Sequence, residues 1–180
     1  MKRGKNFASG DGSQCSSRGA ADAGAGRAAF AARTAVRDVA APLEAEITGT
    51  DRAASLSLVA VVPLVEGFPP RSSLTELANS VACPQAVTSV RPLKPPSRWA
   101  DELGQAIDGT AGPVAFGGRP APGRPGALAV AGAVERHLGS VRMAAEVVVA
   151  EGDGCPATWR KSFVLVTRSH IALLMLSIDD

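Results

Sequence analysis

Apolar residues recur along this chain with two periods, and the order in which the periods alternate outlines a fold. Leu56–Val62 is an apolar run of strand length, interrupted only by Ser57, the pattern of a strand covered on both faces. Pro63 and the Gly67–Pro70 cluster end it. Ser73-Leu74-Thr75-Glu76 is a capping box, in which the Ser73 hydroxyl accepts from the Glu76 amide while Glu76 reaches back. Leu74, Leu77, Ala78 and Val81 line one face of the helix it starts, and Pro84 forbids continuation. Ala86–Val90 reads as a second strand. Ser97 then caps a further helix, with Asp101 and Glu102 near its positive end. Trp99, Leu103 and Ile107 recur every four residues on one face of that helix, and Gly109 supplies a left-handed C-terminal cap. Pro113–Phe116 has the composition of a short third strand.

The Gly117–Gly126 stretch (GGRPAPGRPG) predicts a loop. Ala127–Leu138 suits a helix ending at Gly139 better than a strand. Beyond it the period changes to two. Met143, Ala145, Val147 and Val149 fall on one side of Arg142–Ala150, with Arg142, Ala144, Glu146 and Val148 on the other. Asp153-Gly154 has turn chemistry, and Trp159–Thr167 and Ile171–Ile178 follow, joined by Arg168–His170. The fold class this predicts is α+β. The sheet is expected to be mixed, with helical crossovers in the N-terminal half and an antiparallel three-strand meander at the C-terminal end.

Composition changes the picture at the N-terminal end. Residues 1–26 are Gly, Ser, Ala and charge, and Arg27–Ala41 is an Ala-rich helix that Pro42 should stop and that has few large apolar residues to dock with. The predicted organisation is therefore a disordered basic tail over 1–41, with a weak helix at 27–41, and a single domain over 42–180. Lys2, Arg3, Lys5, Arg18, Arg27, Arg33 and Arg37 against Asp11, Asp22 and Asp38 put +4 on residues 1–41, which leaves −2 of the total +2 for the remainder. That balance, with Phe7 and Phe30 as the only aromatics in the tail, does not support specific nucleic-acid binding. No stretch approaches the roughly 20 apolar residues of a membrane span. Cys15, Cys83 and Cys155 share no metal-ligand or disulfide-framework spacing, so reduced thiols and a cytoplasmic setting are expected. An organelle matrix is the alternative, if the Arg-rich, acid-poor residues 1–41 act as a transit peptide.

Candidate chemistry is sparse, and no motif calls for a cofactor or a metal. Arg119 and Arg124 on the Gly/Pro loop are the candidate anion-binding pair, because two guanidinium groups can grip a phosphate or carboxylate bidentately. The glycines around them follow neither the phosphate-cradling GxxxxGK[ST] pattern nor GxGxxG. His137 lies near a helix C-terminus, the usual place of a surface capping residue. Ser169 and His170 are adjacent, and an extended strand would turn them to opposite faces, so a dyad needs turn geometry. Glu146, Glu151 and Asp153 lack the spacing of a calcium loop.

The function expected from these features is a non-catalytic binding or assembly module. It would self-associate or dock a protein partner through Ile171–Ile178, which is apolar on both faces and must be central, covered or paired with another chain. A small enzyme holding an anionic substrate at Arg119 and Arg124 is the alternative. A translated GC-rich frame with no selected function would share the Ala, Gly, Pro and Arg bias. Against it, the capping box, the Trp99/Leu103/Ile107 stripe and the alternating Arg142–Ala150 segment agree with one another, as local signals do in a foldable sequence.

Overall fold

A computed structural model describes residues 14–48, 53–64, 74–82, 87–111, 123–149 and 159–179. In chain order the elements are α1 (Gln14–Ile47), β1 (Ala53–Pro63), α2 (Leu74–Val81), β2 (Val87–Leu93), α3 (Arg98–Ala111), α4 (Gly123–Leu138), β3 (Met143–Val149), β4 (Trp159–Val166) and β5 (His170–Asp179). The five strands form one sheet in the order β1-β5-β4-β3-β2, and every pairing is antiparallel. The fold is α+β, and β3-β4-β5 is the expected meander.

The sheet is not mixed. β1 and β2 run the same way and α2 crosses between them, but the meander fills the three positions that separate them. Burial decides this arrangement. β4 and β5 are mostly buried and take inner positions, whereas β1 and β2 are exposed over much of their length and carry Pro63 and Pro92, which edge strands tolerate. The Leu56–Val62 run is therefore an edge strand, buried at Leu56 and Leu58 on the face of α1 and only partly covered at Ala60 on the other, with Val59 and Val62 exposed. Conversely, β5 is hydrogen-bonded to β1 and β4, so Ile171–Leu174, Leu176 and Ile178 find their cover inside the molecule without a second chain.

The period-two pattern sorts side chains onto two faces. Leu56, Leu58, Phe163, Leu165, Ala172, Leu174 and Leu176 pack under α1, α3 and α4. Ala145, Val147, Val164, Val166, Ile171 and Leu173 meet Leu77, Ala78 and Val81 of α2. The Trp99/Leu103/Ile107 stripe is fully buried, and the Trp99 ring lies tilted at 6.5 Å from Phe163, which anchors α3 over β4.

Three local expectations are corrected. Pro42 does not stop α1, which runs to Ile47 across the expected tail–domain boundary. A mid-helix Pro costs about 3 kcal/mol. Ala32, Val36, Ala40, Leu43 and Ile47 form a buried stripe on both sides of it, and that burial outweighs the cost. Gly109 lies inside α3 rather than capping it, whereas Gly139, with φ of 86°, closes α4 as expected. Residues 123–126 of the expected loop form the first turn of α4; residues 117–122 lie outside the described residues, as do the expected strand at 113–116 and Ser73 of the capping box.

Candidate functional site

α3 presents its inner face to the core and its outer face to a groove of about 520 Å³. Lys94, Pro95, Arg98, Asp101, Gln105 and Asp108 line one wall, at helical spacing, and Arg124 closes it from the first turn of α4. Two glycines make this possible. A Cβ at Gly123 would collide with the Gly104 carbonyl oxygen and the Asp108 carboxylate, so the two helices can cross this closely only without side chains there. Asp108 Oδ1 accepts a 2.8 Å hydrogen bond from the Gly123 N–H and so caps α4 from a neighbouring helix.

Behind the groove, on the sheet side, lies a ring of charges. The guanidinium of Arg91 (β2) donates to Glu146 (β3) and, at 3.2 Å, to Glu102 (α3). Lys161 (β4) stands 3.3 Å from Glu146 and 3.6 Å from Glu102, with its Nζ 5.9 Å from the centre of the Phe163 ring. Arg98 pairs with Glu102 at 3.2 Å across one helical turn and also lines the groove, so it belongs to both assemblies. Burial works against ionisation of Glu102. The hydrogen bond from Arg91, with the charges of Arg91, Lys161 and Arg98, outweighs it and holds the carboxyl below its ordinary range. Hydrogen bonds to Glu146 and Glu102 raise Arg91 above its own.

Of the expected anion-binding pair, Arg124 is exposed in the groove and Arg119 lies outside the described residues. The partners that Arg124 meets, Lys94 and Arg98, had no sequence signal tying them to it, since they precede it by 30 and 26 positions. Glu146 faces the ring; Glu151 and Asp153, with which it was grouped in sequence, are outside the described residues, as are Cys83 and Cys155. No group of three or more metal-ligating side chains occurs among the described residues.

Turn geometry does bring Ser169 Oγ to 2.9 Å from His170 Nδ1, and the Thr167 hydroxyl accepts from the His170 N–H at 3.1 Å. A catalytic histidine is oriented through its second ring nitrogen. Here Nε2 is buried with no hydrogen-bond partner among the described residues. The contact holds the β4–β5 hairpin tip. His137 sits in the last turn of α4, as a capping residue does.

No helix among the described residues is long and apolar enough to cross a membrane. Comparison of the chain with protein-family models, with curated proteins and with solved structures returns no match.

Proposed function

We propose that this chain is a non-catalytic binding module whose ligand is an oxyanion, a phosphate or a carboxylate, held in the groove between α3 and the start of α4. One observation carries the reading: Lys94 and Arg98, from the entry to α3, and Arg124, from the start of α4, converge on one groove. Asp108 is already engaged by the Gly123 amide, which leaves Asp101 as the groove acid without a main-chain partner among the described residues. Arginine forks suit planar oxyanions, and a shallow, solvent-open groove suits moderate affinity with strong salt dependence.

The test is a titration of the isotopically labelled chain with inorganic pyrophosphate, followed by amide shifts. Residues 94–98, 104–108 and 124 should respond, and Lys94→Ala and Arg124→Ala should each weaken binding several-fold. Absence of any response, or a response that survives the double substitution unchanged, would refute the proposal.

A further inference from the structure

The ring behind the groove holds three cations, Arg91, Arg98 and Lys161, against two carboxylates, Glu102 and Glu146. The cations are not equivalent. Arg91 and Lys161 each contact both carboxylates, whereas Arg98 contacts Glu102 alone among the described residues. Lys161 has 18% of its side chain exposed and is committed to the interior; Arg98 is 55% exposed and faces the groove. Its contact with Glu102 runs through Nε at one edge of the guanidinium. The other edge, with its two terminal amino groups, has the fork geometry that binds two oxygens of one anion.

We infer that Arg98 is the ligand-gripping residue of the groove, the surplus cation of the Glu102–Glu146 ring, which an incoming oxyanion can draw away from Glu102. The inference rests on the groove being the binding site and names the residue that sets its specificity. Releasing Arg98 leaves Glu102 with Arg91 at 3.2 Å and Lys161 at 3.6 Å, so its buried charge stays compensated. Releasing Arg91 instead would strip a partner from both carboxylates. The Glu102 contact thus presets Arg98 at the groove wall, and Arg91 and Lys161 stay beside Glu102 when Arg98 leaves it. Of the three cations, Arg98 also does least to keep Glu102 ionised.

The experiment compares wild type, Arg98→Gln and Arg91→Gln by pyrophosphate titration and by thermal unfolding, with succinate as a second probe to separate phosphate from carboxylate preference. Arg98→Gln should weaken pyrophosphate at least about tenfold, the loss of one charge-assisted bidentate contact. Its thermal midpoint should stay within about 2 °C of wild type, while Arg91→Gln should lose about 4 °C or more. Tighter binding of succinate than of pyrophosphate would assign the groove to carboxylates and leave Arg98 in the same role. Undiminished binding by Arg98→Gln, or a midpoint that falls as far as that of Arg91→Gln, would overturn the inference while leaving the groove proposal standing. No binding of either probe by wild type would overturn both.

Discussion

At the scale of single residues, a buried carboxylate and a pair of close-packed glycines shape the region around the groove. Glu102 is buried among cations, and its carboxyl lies below the ordinary glutamate value of 4.5. A group whose folded pKa is depressed adds stability above its unfolded pKa and loses it as pH falls through the folded one. Between those values the unfolded chain binds more protons, so stability should climb with pH below about 4.5 and level off above it. Glu102→Gln should flatten that climb, read by denaturant midpoints across acidic pH, and an unchanged slope would show that the ring does not matter to acid stability. Glycine gives a paired test. Gly123→Ala forces a Cβ into the Gly104 carbonyl and should cost about 1–3 kcal/mol. Gly132, on the exposed side of the same helix, meets nothing within 4 Å. Gly132→Ala should therefore stabilise by about 0.5–1 kcal/mol. If the two substitutions shift the unfolding midpoint alike, the α3–α4 crossing is not as close as described.

At the scale of elements, the sheet edges show how the fold limits unwanted pairing. α1 guards β1 with side chains. Glu44 Oε1 accepts from the Leu56 N–H at 2.5 Å, Thr48 Oγ1 from the Ala54 N–H at 3.3 Å, and Arg33 donates to the Val59 carbonyl at 3.2 Å. β2 is blunted differently, by the register shift between Val87 and Ser89 and by Pro92, which has no N–H to offer. Glu44→Ala should uncover the β1 edge. Hydrogen exchange in 53–63 should rise, and light scattering should report more self-association than in wild type; unchanged exchange would assign the guard role elsewhere. Most elements were legible in sequence for simple reasons. The apolar face of α2, the stripe of α3 and the alternation of β3 each repeat a single period over enough residues to exclude the other. α1 was not legible beyond Pro42, because local backbone preference ends a helix at a proline, whereas the buried stripe of Ala32, Val36, Ala40, Leu43 and Ile47 that carries it onward exists only once the helix is packed.

At the scale of the molecule, the two faces of the sheet are unequally covered. Among the described residues three helices pack on one face, whereas the other meets the eight-residue α2, with Ala82 just beyond it and Leu64 at the end of β1. Deleting side chains from the large face should therefore be the most disruptive change. Trp99→Ala, which removes the anchor of α3 on Phe163, should cost about 3–5 kcal/mol. Hydrogen exchange offers a broader check. Amides of β3, β4, β5 and of α1 from Ala32 onward should exchange slowly, and those around Gly24 and Gly26, where an added Cβ would meet nothing within 4 Å, should exchange fast. Uniformly fast exchange would mean that no cooperative core forms and would favour a translated frame without selected structure. The candidate site belongs to this scale as well. Arg124 was visible in sequence as a cation on a Gly/Pro stretch, yet its partners reach it only because α3 and α4 cross at Gly104 and Gly123.

Local pattern alone determined the α+β class, the meander, the inward faces of α2 and α3 and the end of α4 at Gly139, because each depends on periodicity or backbone preference within a few residues. Tertiary structure decided the rest: which strands take the edges, how far α1 extends past Pro42, and which charges meet in the Glu102–Glu146 ring. Those outcomes are competitions for burial between segments far apart in the chain. A strand's period says which face a side chain occupies, but only the packed sheet says which neighbour waits there.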